Sequence, residues 1–116
     1  MEPEQLSQYE SRLRQMRETI ASLETTRRAN STVVELDQTR AGRLSRMDAL
    51  QQQAMANAGR ERAATELRRI DGALARIRNG TFGECVECVE SISTARLEAH
   101  PAIALCLACA QSREQR

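Results

Sequence analysis

All four cysteines of the chain lie in one pattern, Cys85-x-x-Cys88 followed after seventeen residues by Cys106-x-x-Cys109. Two such pairs at this separation can bring four thiolates onto one tetrahedral ion, with zinc–sulfur bonds of about 2.3 Å. In a reducing compartment the pattern favours metal over disulfides, and a secreted two-disulfide module is the alternative. Four cysteines leave no coordination position open for water or substrate. We therefore predict one structural Zn²⁺.

Aromatic residues are almost absent, since the 116 residues include one Tyr, one Phe and no Trp. A sizeable globular core is therefore not expected. Ala, Leu, Glu, Gln and Arg dominate the composition, which favours a mainly α fold. The finger itself has few apolar residues, so zinc binding, worth about 10–16 kcal/mol in small fingers, should be needed for it to fold.

The first helix should begin at Pro3, because proline suits the first helical turn. Apolar residues then recur at alternating spacings of three and four, the stripe of a coiled-coil seam. Its members are Leu6, Tyr9, Leu13, Met16, Ile20 and Leu23.

A second apolar stripe follows, and it should form the other helix of an antiparallel coiled-coil hairpin. Its members include Leu44, Met47, Leu50, Ala63, Leu67, Ile70, Leu74 and Ile77. Pairing Leu6 with Ile77 places Leu13 near Ile70 and sets Leu50 and Met47 against the first helix. The turn then falls around 38–43, in a tip of about 34–45, and Gly80 should end the second helix.

These patterns divide the chain into a hairpin at 1–79, a four-cysteine zinc finger at 80–110 and a polar tail at 111–116. A short terminal helix should start near Leu105, and His100-Pro101 should form a turn. The N-terminus lacks a secretory signal pattern, and no apolar run approaches the roughly 20 residues that span a bilayer. We expect a cytoplasmic protein without membrane contact.

The net charge of +1 excludes a uniformly basic surface of the kind that binds nucleic acid. No nucleophile, acidic pair or phosphate-binding loop accompanies His100, the one histidine, so an enzyme is not expected. Two other classes remain open. One is a DNA- or RNA-binding zinc protein, although the finger supplies only Arg96 for phosphate contacts. The other is a coiled-coil adaptor that oligomerises through its apolar stripes.

The finger motifs resemble those of the DksA/TraR family of bacterial transcription regulators. The matching stretches are Phe82-Gly-Glu-Cys85-Val-Glu-Cys88, Ala95-Arg-Leu-Glu-Ala-His-Pro101 and Leu105-Cys-Leu-Ala-Cys109. The resemblance implies a monomer that binds RNA polymerase directly rather than specific DNA. In that family the hairpin enters the secondary channel of the polymerase, and its tip approaches the active site and modulates initiation.

The resemblance also implies contact residues at the tip, where the family pattern is D-x-x-D-x-A. Counted from Asp37, the second acidic position is occupied by Arg40, followed by Ala41, and the alanine position by Gly42. A count anchored on the cysteines instead points to Asp48 and Ala49. The candidate partner-binding residues are therefore Asp37, Arg40, Ala41, Asp48 and Ala49.

Some family members respond to guanosine tetraphosphate, the nucleotide of the stringent response, through basic residues near the coil base. The resemblance places Arg62 and Arg69 at such positions, whereas Ala110 follows the last cysteine where the family has Lys. The alternative is that these arginines, with Arg68, form a solvated helix face.

Overall fold

The computed structural model describes the backbone of residues 1–41 and 46–115, and the side chains of residues 1–29 and 46–115. Helices make up most of it, as the composition predicted. They are α1 (Pro3–Ala41), α2 (Arg46–Asn79), α3 (Thr94–Ala99) and α4 (Leu107–Glu114). Extended pairing within these ranges is limited to an isolated antiparallel bridge between Glu84 and Ser91. None of the helices described combines the length and the apolarity needed to cross a membrane.

The start of α1 follows from its first residues. Pro3 occupies the first helical position, where its missing N–H removes no hydrogen bond. The backbone N–H of Glu2 donates to Oε1 of Gln5 at 3.2 Å, and the N–H of Leu6 donates to the Glu2 carbonyl at 3.1 Å. Glu4 adds a negative charge in the first turn, which complements the helix dipole. The predicted start at Pro3 is confirmed.

Helix α2 ends at Asn79, directly before Gly80 as predicted, and its end is a Schellman motif. The Gly80 N–H donates to the Ile77 carbonyl at 3.3 Å, and the Thr81 N–H donates to the Arg76 carbonyl at 2.9 Å. Gly80 has a φ of +78°, in the left-handed region that favours glycine. The chain therefore leaves the helix in a defined direction and enters the finger immediately.

The described chain divides into two compact units, Met1–Arg17 with Glu66–Arg116, and Glu18–Thr65. The first unit contains most of the buried apolar side chains of the described residues. Both helices and the finger contribute to this core, which includes Tyr9, Leu13, Ile70, Leu74, Phe82, Ile92 and Leu97. The rings of Tyr9 and Phe82 lie 5.3 Å apart, centroid to centroid, at 50°. The two aromatic residues of the chain thus pack against each other.

Apolar residues of the second unit are much more exposed than the stripe predicted. Met47 is 82% exposed and Leu50 is 65% exposed, so the expectation that both lie in the seam against α1 is wrong. Leu23 and Met55 are also exposed. Apolar spacing shows which residues share a helix face, but it does not show whether the opposite helix approaches closely enough to bury them.

Arginine side chains of α1 reach across to α2. Nε of Arg17 contacts Oδ1 of Asp71 at 3.2 Å. Within the second unit, a Cβ on Gly59 would lie 2.7 Å from Nη1 of Arg27. An arginine side chain extends about one helical turn and points toward the N-terminus of its own helix, so these contacts are compatible with the predicted pairing. The register of the hairpin stays a prediction.

Two boundaries also differ from expectation. The predicted turn around 38–43 begins too early, because α1 continues through Ala41. Residues 42–45, and the side chains of the other predicted tip residues before them, lie outside the described residues. At the other end, α4 runs to Glu114, into the segment predicted as a polar tail.

Candidate metal centre

The first pair of cysteines lies in a small turn that follows α2. The Ile92 N–H donates to the Gly83 carbonyl at 2.8 Å, and the Cys85 N–H donates to the Glu90 carbonyl at 2.8 Å. Inside this hairpin the Val89 N–H donates to the Cys85 carbonyl at 3.0 Å. Gly83 has a φ of +92°, which an L side chain rarely adopts. We name residues 83–92 the first knuckle.

The second pair lies at the start of α4, where Cys106 is the N-cap residue and Cys109 is in the first turn. The Ala110 N–H donates to the Cys106 carbonyl at 3.0 Å. We name residues 103–110 the second knuckle. The two knuckles are joined by the Val86 N–H, which donates to the Ala104 carbonyl at 2.9 Å. Backbone hydrogen bonds therefore place both cysteine pairs side by side.

The four Sγ atoms all lie within 4.8 Å of one another. The Sγ atoms of Cys88 and Cys106 are 3.7 Å apart. A tetrahedral ion with zinc–sulfur bonds of about 2.3 Å requires sulfur–sulfur separations of roughly 3.8 Å. The cluster therefore fits one zinc ion bound by Cys85, Cys88, Cys106 and Cys109. All four positions of such an ion are filled by protein, which makes the site structural.

The pKa values of the thiols diverge because the sulfurs lie so close together. Hydrogen bonds from the backbone of Cys88 and then of Cys106 lower the pKa of Cys85 to about 6. The pKa of Cys109 is raised, first by its hydrogen bond with Cys106 and then by that with Cys85, because neighbouring sulfurs share the remaining protons. Four thiolates this close repel one another, and a divalent cation is what allows all of them to be deprotonated together.

An ion pair between side chains joins α4 to the first knuckle. Arg113 of α4 contacts Oε1 of Glu87, which lies between the first two cysteines. Val89, directly after Cys88, has a φ of +65°, which is uncommon for a β-branched residue. Arg113, which lies beyond the segment 80–110 predicted as the finger, thus contacts the first knuckle.

The predicted tip residues are described only in part. Asp48 lies in the first turn of α2 and is exposed, and Ala49 is half-buried. The side chains of Asp37, Arg40 and Ala41 lie outside the described residues, although the backbone there is helical. The partner-binding role of these residues stays a prediction.

The predicted effector residues lie on one face of α2, seven residues apart. Arg62 and Arg69 are both exposed. Nη1 of Arg69 is 3.6 Å from Oε2 of Glu66. The other carboxylate oxygen, Oε1, is 3.2 Å from Nε2 of His100, the C-cap residue of α3. Glu66 therefore places a negative charge between α2 and the loop after α3, next to one of the two predicted cations.

Sequence reasoning missed α3, which connects the two knuckles. Its signal was the N-cap Ser93, whose Oγ accepts a hydrogen bond from the Arg96 N–H at 3.3 Å. On this helix Glu98 accepts a hydrogen bond from Tyr9 Oη at 2.7 Å and lies 3.7 Å from Nη1 of Arg12. A six-residue helix is too short for periodicity to reveal, so the cap was the one local cue.

Residues 80–115 match the family model described as the prokaryotic dksA/traR C4-type zinc finger. This segment is a DksA/TraR zinc finger. The match covers both knuckles, α3 and α4, and it confirms the recognition made from the cysteine motifs. Together with the sulfur geometry, it identifies the metal as zinc. No curated protein matches the chain in sequence.

Two solved structures have a fold similar to that of this chain over 99% of its length. Transcription factor DksA2 from Pseudomonas aeruginosa matches with a TM-score of 0.83 and 23% identity, over 99% of this chain and 87% of that one. The RNA polymerase binding protein and transcriptional regulator Dks from Chlamydia trachomatis matches with a TM-score of 0.64 and 20% identity, over 99% and 93%. At these identities the similarity establishes the fold, a coiled-coil hairpin followed by a zinc finger.

Proposed function

We propose that this chain binds RNA polymerase directly and regulates transcription initiation, with the hairpin tip at 34–45 entering the secondary channel. The observation that carries the proposal is the combination, in one chain, of a DksA/TraR finger at 80–115 with a DksA-like fold over 99% of its length. A relative of that fold is described as an RNA polymerase binding protein. The proposed activity is that of a cytoplasmic, monomeric transcription factor without specific DNA contacts of its own.

In this proposal the zinc centre shapes the protein and does no chemistry, because its coordination is closed by cysteine. Contact with the polymerase is assigned to the tip residues Asp37, Arg40 and Ala41 and to Asp48 and Ala49. Asp48 supports the assignment through its position, since it is an exposed carboxylate in the first turn of α2. A carboxylate delivered near a polymerase active site can act on the metal ions and basic groups that hold nucleotides there.

A pull-down with core RNA polymerase, competed by a known secondary-channel factor, tests the proposal. We expect retention of the chain and its loss on competition. In a promoter assay, Asp37→Ala or Asp48→Ala should abolish the effect on transcription while polymerase affinity changes by less than about threefold, because tip contacts act after docking. Glu61→Gln, which removes an exposed carboxylate from the middle of α2, is the control.

The same assay, repeated with guanosine tetraphosphate, tests the effector assignment. Arg62→Ala and Arg69→Ala should remove any added effect of the nucleotide and leave the activity measured without it unchanged, because phosphate recognition depends on these cations.

In the pull-down, polymerase binding that the competitor does not displace would refute the channel placement. Absence of polymerase binding, combined with retention of DNA in a gel shift or with an obligate dimer in sedimentation, would favour the zinc-dependent nucleic-acid binder or the coiled-coil adaptor.

A further inference from the structure

The segment just before Cys106 is held from three directions. Three successive carbonyls, of residues 103–105, accept hydrogen bonds from Arg76 Nη2 at 3.3 Å, from the Val86 N–H at 2.9 Å and from Arg96 Nε at 3.0 Å. The donors belong to α2, to the first knuckle and to α3. This segment leads directly into the second cysteine pair, so its position sets where that pair lies.

The contacts of Arg76 and Arg96 should strongly restrict the position of residues 103–105. Both are partly buried bonds from a guanidinium to a backbone carbonyl, so the donor carries a charge. Such bonds are stronger than bonds between neutral groups. Burial also lowers the pKa of Arg76. A guanidinium kept charged in a partly buried place is costly unless it is hydrogen-bonded, so the carbonyl of Ile103 is a partner that Arg76 needs.

The positive charges of Arg76 and Arg96 also bear on the zinc site. Zinc bound by four thiolates carries a net charge of about −2, from the divalent ion and four sulfur charges. Arg76 and Arg96 bring two positive charges to the residues that adjoin Cys106. The two guanidinium charges therefore partly offset the negative charge that the zinc-loaded site would carry.

We propose that Arg76 and Arg96 are positioning residues of the zinc centre. They fix residues 103–105 so that the second knuckle meets the first at the separation that zinc requires. Because Arg76 lies in the last turn of α2, metal loading and the order of that turn stabilise each other. The inference concerns the metal site alone and holds whether or not the chain binds polymerase.

The test compares Arg76→Met and Arg96→Met in the full chain, since methionine keeps the apolar stem and removes the donors. Arg78→Met, at an exposed arginine of the same last turn, is the control. Zinc affinity is measured by competition with a chromophoric chelator, and site geometry by the d–d absorption of the Co²⁺-loaded protein. We expect zinc affinity to fall about tenfold for each arginine, with a shifted Co²⁺ spectrum, and Arg78→Met to match the unmodified chain.

The metal-free protein distinguishes positioning from simple packing. The arginine bonds need an ordered second knuckle, so the free energy of unfolding without zinc should be the same in Arg76→Met and Arg78→Met. Equal losses of stability with and without zinc, with zinc affinity within about twofold of the control, would overturn the proposal. If the methionine variants fail to fold even with zinc, zinc affinity is measured instead on Arg76→Lys and Arg96→Lys. They should show intermediate affinity, and affinity equal to that of Arg78→Lys would refute the role.

Discussion

Tyr9 connects the hairpin to the finger through two kinds of contact. Its ring packs on Phe82, which directly precedes the first knuckle, and its hydroxyl donates to Glu98 of α3 at 2.7 Å. The sequence placed Tyr9 in an apolar stripe and offered no reason for a hydroxyl there. The structure supplies the reason, because the position also faces a carboxylate from a helix that periodicity did not reveal.

Tyr9→Phe should lower the free energy of unfolding by about 1 kcal/mol at pH 7, because the ring stays and one hydrogen bond is lost. Burial, and then the hydrogen bond to Glu98, raise the pKa of Tyr9 above its ordinary value. The contribution of the hydroxyl is therefore fully present below the unfolded pKa of about 10 and is lost as the pH rises through the higher folded value. Urea unfolding of both proteins from about pH 7 to pH 11 checks this.

The difference between the two proteins should shrink above about pH 10. A difference in free energy of unfolding that stays constant over this pH range would mean that ionisation of the Tyr9 hydroxyl does not affect stability. Glu98→Gln keeps an acceptor but removes its charge, so it should retain much of the bond and serves as the matched control.

At the scale of elements, the positions where helices begin and end were easier to predict than the contacts that the helices make with each other. Pro3 and Gly80 are local signals, and both boundaries are where they indicated. The burial of Met47 depended on how closely two long helices approach each other, which local spacing does not encode. The metal site was predictable because its ligands need only be the right residues at the right separation, whereas the bonds of Arg76 and Arg96 required the path of the second knuckle.

Gly80→Ala should destabilise the folded chain by about 1 kcal/mol, because an alanine must adopt a left-handed backbone there. Its Cβ would meet no atom within 4 Å, so the cost is conformational and involves no clash. Gly80→Asn should lose less, since asparagine tolerates this region better. Chemical denaturation of the three proteins with zinc bound gives the ranking, and an alanine variant as stable as the asparagine variant would contradict it.

At the scale of the whole molecule, zinc should be needed to order the finger at 80–115 but not most of the two long helices. Helices α3 and α4 contain 6 and 8 residues, against 39 and 34 in α1 and α2. Among the described side chains of the unit Glu18–Thr65, Leu23, Met47, Leu50 and Met55 are exposed. Residue propensity, and ion pairs along the helix such as that of Arg27 with Glu24, favour helix there without the metal.

Removing zinc with a chelator should therefore abolish hydrogen-exchange protection in residues 80–115 while most far-ultraviolet helical signal persists. The expected loss follows from the roughly 10–16 kcal/mol that zinc contributes to small fingers. Added zinc should restore protection. Loss of more than about half of the helical signal would show instead that both long helices depend on the metal.

The pairing of Tyr9 with Glu98 also gives the protein a built-in optical reporter. With one Tyr and no Trp in the sequence, near-ultraviolet emission comes almost wholly from this ring. A tyrosine hydroxyl that donates to a carboxylate is quenched, so emission should rise when α3 separates from α1. Opening of the finger could then be followed in real time, with polymerase absent, on the unlabelled and unmodified chain.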